Sequence, residues 1–409
     1  MVRAPQARPL SRREAPCASA IPRCCFLRAE SCGFILLRMA PILLALFLVI
    51  LQSPAKSNSP APGQTSVHLL TPTEITALQS AATTGDAAAQ YRLALAYEKG
   101  DGVPKNLSLA FQWCEKAADQ GNSDAETNLG VMYRLGEGVD ENRDLAVQWY
   151  EKASRQGNAS AMFDLGAAYY NGDGVPIDDS LSYAWFILAK EGGNPQAVQA
   201  VARAESDLTA GQITVGYRNI AELCNDGKYL PKNETEAASW WLKSATRGDY
   251  QSQIKLAMVL LNGQGVPQDF SKARYWCGQA AKSDDRLTKA SGEYCMGHIY
   301  QHGLGTPVSA KAARKWYQPA AEAGLVVAMQ TLAQMDETGE GGKVDLVAAA
   351  VFYTELAMGK TADKRALQQL IRLKSKMSAK QWNELQKRLS NYHINPAKFY
   401  ALTSQATTP

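Results

Sequence analysis

The sequence predicts an all-α array of about seven helix-turn-helix repeats with capping helices. Three observations carry that reading. Trp113, Trp149 and Trp185 are spaced by 36 residues, Trp240 and Trp276 repeat the interval, Trp316 follows after 40, and Phe352 takes the same slot. A fixed period of this size marks a repeat architecture. Glycine pairs recur at matching places: Gly100/Gly102, Gly136/Gly138, Gly172/Gly174, Gly263/Gly265 and Gly303/Gly305. Finally, Asn106, Asn142, Asp178, Asn233, Asp269, Ser309 and Asp345 share one slot, and every one is a residue whose side chain can cap a helix N-terminus.

The elements follow in order. Thr71-Pro72-Thr73-Glu74 combines an N-cap, proline at N1 and an acid at N3, which predicts a capping helix from Pro72 to about Thr83. The first unit then runs from Gly85 to about Gln120. Its first helix is expected from Asp86 to about Lys99, and its second from about Leu107 to Asp119. The first loop glycine suits the left-handed residue that ends a helix, and the second lets the backbone turn back. The valine after it (Val103, Val139, Val175, Val266) is expected to plug the end of the helix pair. Four residues past each N-cap stands a small residue: Ala110, Ala146, Ser182, Ala237, Ala273, Ala313 or Ala349. Small residues there let helices approach, and the Trp slot fills the space beside them. The Trp stripe is therefore expected in the core, with Trp241 on another face and partly exposed.

The Trp185–Trp240 interval is 55 residues, an insertion of 19 over roughly Pro195 to Tyr217. It contains Thr209-Ala-Gly-Gln212, and Ser378-Ala-Lys-Gln381 follows the last unit. Both are capping-box patterns. The chain thus divides into 71–207, a block of three units plus cap; 208–395, a block of four units plus cap; and a flexible tail, 396–409.

The N-terminus is different. Residues 1–38 carry Cys17, Cys24, Cys25 and Cys32, scattered Pro and Arg, and no helical period. Met39 reads as the start of translation. Pro41–Leu51 is an apolar run of 11 residues, short for a bilayer span of about 20 and suited to a signal-peptide core of about 7–15. Ser53-Pro54-Ala55 supplies small residues for cleavage after Ala55. Residues 1–55 therefore read as upstream segment plus signal peptide, and 56–70 as a Ser/Pro/Gly/Asn-rich linker. The alternative is an uncleaved membrane anchor over residues 34–51. Either way the chain is exported, periplasmic or secreted, and touches a membrane only if the segment is retained.

Of the 43 basic and 39 acidic side chains, seven Arg and two Glu lie in residues 1–38, leaving 36 and 37. A near-neutral body lacks the electrostatic footprint of a nucleic-acid-binding protein. The sequence shows no nucleotide loop, no Ser/His/Asp arrangement and no paired carboxylates, so no catalytic residue and no cofactor is assigned. Asn106-Leu-Ser, Asn158-Ala-Ser and Asn233-Glu-Thr match glycosylation sequons and read as chance.

Ala-Glu-Thr-Asn-Leu-Gly-Val-Met-Tyr (125–133), Gly-Glu-Gly-Val (136–139), Ala-Val-Gln-Trp-Tyr-Glu-Lys-Ala (146–153) and Gly157 resemble the Sel-one-like repeat, a relative of the tetratricopeptide repeat with a longer glycine loop. The resemblance covers residues 85 to about 360 in seven units. Unit four, Asp226-Gly227-Lys228-Tyr229-Leu230, keeps one glycine, and unit seven lacks both Trp and Val. The resemblance implies a right-handed superhelical solenoid. It also implies non-enzymatic scaffold or adaptor work on a protein partner through the concave face, in exported bacterial members often in envelope regulation. The alternative it implies is an envelope protein that binds peptidoglycan or β-lactam fragments, with weak hydrolase activity.

Candidate binding residues come from positions that change while the frame repeats. One first-helix slot reads Arg92, Asn128, Asp164, Asn219, Lys255, Cys295, Thr331; the slot seven later reads Lys99, Leu135, Asn171, Asp226, Asn262, His302, Thr338. They share a helix face. Arg92, Lys99, Asn128, Asp164, Asn171, Asn219, Lys255 and His302 are the partner-binding candidates; the bland alternative is exposed positions free to drift. Cys295, His298 and His302 fall at metal-compatible spacing but lack the Glu of a zinc-protease motif, and no metal is assigned. Cys277 and Cys295 are the one nameable disulfide pair, level across a helix hairpin in an oxidising compartment. Cys114 and Cys224 read as buried free thiols.

Overall fold

The computed structural model describes residues 69–359 and 363–390. The N-terminal segment, its signal or anchor, most of the linker and the tail lie outside them. The described residues all belong to one compact unit. The described residues form eighteen helices. Helix α1 (Pro72–Thr83) opens the array with the Thr71/Glu74 capping box formed in both directions. Three hairpins follow: α2 (Ala87–Lys99) with α3 (Leu107–Asp119), α4 (Ser123–Leu135) with α5 (Arg143–Ser154), and α6 (Ala159–Asn171) with α7 (Asp179–Glu191). Helix α8 (Pro195–Asp207) stands unpaired. The second block pairs α9 (Ala210–Asp226) with α10 (Glu234–Thr246), α11 (Tyr250–Asn262) with α12 (Phe270–Ala280), α13 (Arg286–His302) with α14 (Ala310–Glu322), and α15 (Val326–Thr338) with α16 (Leu346–Met358). Helices α17 (Lys364–Lys376) and α18 (Ala379–Ser390) close it.

The capping slot performs as its chemistry requires. All seven side chains accept from backbone N–H groups at the start of the second helices. Asn158 also caps a helix, α6, so all three sequon asparagines are spent on N-caps. The second loop glycine has a sharper role than turning. Gly174 sits at φ +72°, and a Cβ there would lie 2.4 Å from the Arg143 carbonyl oxygen. Gly138, Gly174, Gly265, Gly305 and Gly341 each rest on the first residues of the preceding unit's second helix, and Gly102 rests on Leu70 and Ile75 at α1, so this glycine sets the distance between stacked elements.

The core assignment needs a correction. Trp185, Trp240 and Trp276 are buried, but Trp113, Trp149 and Trp316 are only half-buried. Lysines one turn on lie over three of these rings: Lys116 over Trp113, Lys152 over Trp149 and Lys243 over Trp240. The true core slot is the next residue: Cys114, Tyr150, Phe186, Trp241, Cys277, Tyr317 and Tyr353 are all buried. Trp241 is therefore buried (2 % exposed), not partly exposed. The reason is complementary volume. Tyr150, Phe186 and Tyr317 lie against Gly130, Gly166 and Gly297 on the facing helix, where a Cβ would approach the ring to 2.5–2.6 Å.

The long interval before Trp316 is one extra turn at the start of α13, which has 17 residues; about four residues restore the same face. The 19-residue insertion does more. Gln212 Nε2 donates to Asp179 Oδ2 at 3.3 Å, a Cβ on Gly216 would meet the Tyr183 ring, and Cys224 shares a cavity wall with Leu188 and Glu191. Residue numbers rise together along α7 and α9, so these neighbours run parallel, whereas hairpin partners run antiparallel. One unpaired helix has reversed the array's polarity. The loop of unit four consequently reaches the turn end of the first block: Ser154 Oγ donates to the Tyr229 carbonyl at 2.9 Å and Arg155 Nε to the Lys228 carbonyl at 2.8 Å. This explains the missing glycine, since that loop rests on a turn and not on a helix start. The core continues across this boundary from Ala146 to Ile299.

Candidate functional site

The variable positions do not form one row. In the first block, Arg92 and Lys99 are exposed on α2, and Asn171 is exposed at the end of α6. Asn128 is half-buried and donates through Nδ2 to Glu98 Oε2 of the preceding unit at 2.9 Å. Asp164, also half-buried, faces Arg134 from the same relative position one unit later. Burial pushes the Asp164 carboxyl up to about 6, with the Arg134 guanidinium opposing. Two of the eight candidates are thus engaged between units, where they help hold register.

In the second block, Asn219 on α9 and Lys255 on α11 line a cavity of about 400 Å³. Its wall also holds Asp178 and Leu181, from the start of α7, and Trp241. The polarity reversal therefore places Asn219 beside a second helix of the first block, not beside Asp164. The indole N–H of Trp241 finds no acceptor among the described residues. His302 is exposed at the end of α13, its ring 4.4 Å from that of His298. Burial, then the neighbouring His302, lowers the His298 pKa.

Cys277 and Cys295 are joined by a disulfide between α12 and α13, with Cα atoms 5.8 Å apart. That bond occupies the Cys295 sulfur, so the Cys295/His298/His302 constellation has no thiolate to offer a metal. Cys114 and Cys224 are buried free thiols, and burial pushes both up to about 12. Such thiols are poor nucleophiles.

The clefts beside the unpaired helices lie outside the sequence-predicted binding positions. Helix α8, lying over α6 and α7, leaves a groove of about 610 Å³ walled by Phe163, Tyr170, Phe186 and Arg203. Helix α17, over α15 and α16, leaves one of about 460 Å³ walled by Gln330, Glu337, Tyr353 and Arg372. The walls correspond residue by residue: Phe163 with Gln330, Tyr170 with Glu337, Phe186 with Tyr353, Arg203 with Arg372. The second groove is bridged. Glu337, 11 % exposed, pairs with Arg372 and, at 2.9 Å, with Lys376, and Gln330 Nε2 donates to Asp363 Oδ2 at 3.0 Å. The first places aromatic rings in both bridging positions. The sequence signal was available in the paired capping boxes, both of which form, since matching caps imply matching clefts.

Stacked antiparallel hairpins with constant capping and glycine slots define a helical-repeat solenoid. The family model of the Sel1 repeat matches residues 87–122, 123–158, 159–194, 214–249, 251–285 and 290–325. These make up more than half of the chain, which belongs to the Sel1 repeat family. The seventh hairpin lies beyond the matched residues but keeps its Asp345 cap and left-handed Gly339 and Gly341. The chain is 30% identical over 134 residues to an uncharacterized protein of Neisseria meningitidis serogroup B, a match covering 33% of this chain and 27% of that protein. Among solved structures it is similar to a protective antigen present in uropathogenic Escherichia coli strains, displaying an SLR fold (23% identity, 76% of this chain and 85% of that one, TM-score 0.32). It is also similar to a Sel1 repeat protein from Oxalobacter formigenes (28% identity, 61% and 90%, TM-score 0.29).

Proposed function

We propose that this chain is a non-catalytic, exported scaffold that binds a protein partner through the exposed faces of its first helices, in the service of envelope regulation. The observation that carries the reading is the contrast between frame and face. N-cap, glycine and small-residue slots repeat from unit to unit, while Arg92, Lys99, Asn171, Lys255 and His302 change identity at exposed positions of the same helices. A repeat array presents such positions as an extended recognition surface. The apolar run 41–51 and the small residues before position 56 support export, with cleavage after Ala55 preferred to an anchor over residues 34–51.

The test is crosslinked capture from the envelope fraction, with mass analysis of the mature N-terminus. Joint charge reversal at Arg92, Lys99 and Lys255 is expected to leave helicity intact and weaken capture of the same partner. Unchanged capture would remove the helix faces from the reading. Turnover of nitrocefin, or calorimetric binding of muropeptides, would replace the scaffold with the fragment-binding alternative.

A further inference from the structure

We infer that the groove between α6 and α8 is a peptide-docking site that takes an acidic side chain flanked by apolar ones. The inference deepens the scaffold reading and rests on it. Its template is the chain's own second groove. There a guanidinium, Arg372, is met across the cleft by the carboxylate of Glu337. In the first groove Arg203 stands in the same register, and the position opposite is Tyr170, which is 47 % exposed. Arg203 instead pairs with Asp207 on its own helix at 3.7 Å, both side chains largely exposed. An exposed pair of that geometry contributes little and leaves donors of the guanidinium fork for another carboxylate. Asp179, the other acid on the wall, accepts from Gln212.

The rest of the wall fits the flanking residues. Phe163 and Phe186 lie 5.5 Å apart, centroid to centroid, and with Tyr170 they make an aromatic floor beside the cation. An apolar side chain seated there, with its neighbouring Glu or Asp on Arg203, reproduces the Glu337–Arg372 contact in trans. In the second groove Glu337 already occupies the cation, so it is not a second copy of the site.

The experiment selects a phage-displayed random-peptide library on the full chain, then measures fluorescence polarisation with a synthetic peptide of the leading sequence. Selected peptides are expected to pair Asp or Glu with aromatic or aliphatic residues. Binding should fall about tenfold, the loss of one charge-assisted hydrogen bond, when the acid is replaced by its amide or when Arg203→Glu is made. Arg203→Glu should turn selection toward Lys and Arg. Tyr170→Glu supplies the missing acid from within, as the second groove does, and should block binding while the protein stays folded. Arg372→Glu should leave binding unchanged. Recovery of no peptide, or of peptides indifferent to Arg203 and Tyr170, would overturn the groove. Partner capture that still responds to Arg92, Lys99 and Lys255 would then leave the scaffold reading standing.

Discussion

The two blocks end in the same way and differ in what they do with the ending. Each closes with an unpaired helix, α8 or α17, followed by a helix opened by a Ser/Thr–Gln capping box. In the second block the cleft is pinned by Glu337, Arg372 and Lys376. In the first, Phe163 and Tyr170 replace the bridging residues, and the capping helix runs on to become the first helix of unit four. One scaffold element thus serves as a terminus in one place and as an open joint in the other. The joint carries a structural consequence, because a single odd helix reverses the direction of every hairpin after it.

The largest effect should separate the loops on either side of that joint. Gly174→Ala forces a Cβ to within 2.4 Å of the Arg143 carbonyl oxygen at positive φ, and should cost roughly 3 kcal/mol or more in chemical denaturation. Tyr229 fills the same slot in unit four. Tyr229→Ala keeps the carbonyl that accepts from Ser154 and should cost about 1 kcal/mol. Equal costs would mean that the unit-four loop rests on its neighbour as the others do.

The second block alone has a covalent tie among the described residues, Cys277–Cys295, spanning 18 residues. Its removal by a double Ser variant should destabilise by about 3 kcal/mol, as expected for a loop of that size. Because repeats couple mainly to neighbours, hydrogen exchange should rise in α12–α14 and little in α4–α6. A uniform rise would contradict nearest-neighbour stacking.

Asp164 marks the first block in a different way. Its folded pKa, raised to about 6 from 3.8, means the folded chain holds the proton more tightly than the unfolded chain. The stabilisation is fully present below about pH 4 and is lost as pH rises through 6. Asp164→Asn should therefore stabilise by about 2 kcal/mol near pH 8, with the gain vanishing near pH 4. A pH-independent difference would assign the effect to packing.

The frame is legible in the sequence because its causes are local. An N-cap or a left-handed glycine acts within a few residues of itself, so its spacing alone places α3 to the residue and α2 to within one, Asp86 being its N-cap. The role of Tyr150 depends on Gly130 facing it across a hairpin, and Trp241 takes the equivalent slot in unit four; single-helix patterning does not reveal either. The clefts are further removed. Their character turns on position 170 or 337 meeting position 203 or 372, on helices two elements apart. The polarity reversal needs a count of helices rather than any motif, and the lone glycine of unit four is its only local trace.

The smallest effect sharpens the comparison of the clefts most directly. Glu337→Gln removes both cross-groove ion pairs while keeping the side chain's shape. Because Arg372 and Lys376 are half-exposed, the loss should be only about 1 kcal/mol, readable as a small drop in the denaturation midpoint. The larger consequence should be local, with faster hydrogen exchange in α17 and none of that change in α8, whose groove has no such bridge. If α17 stays as protected as before, the ion pairs decorate the cleft and packing of Leu370 and Leu373 against α16 holds it, in which case an open first groove and a bridged second one differ in chemistry but not in stiffness.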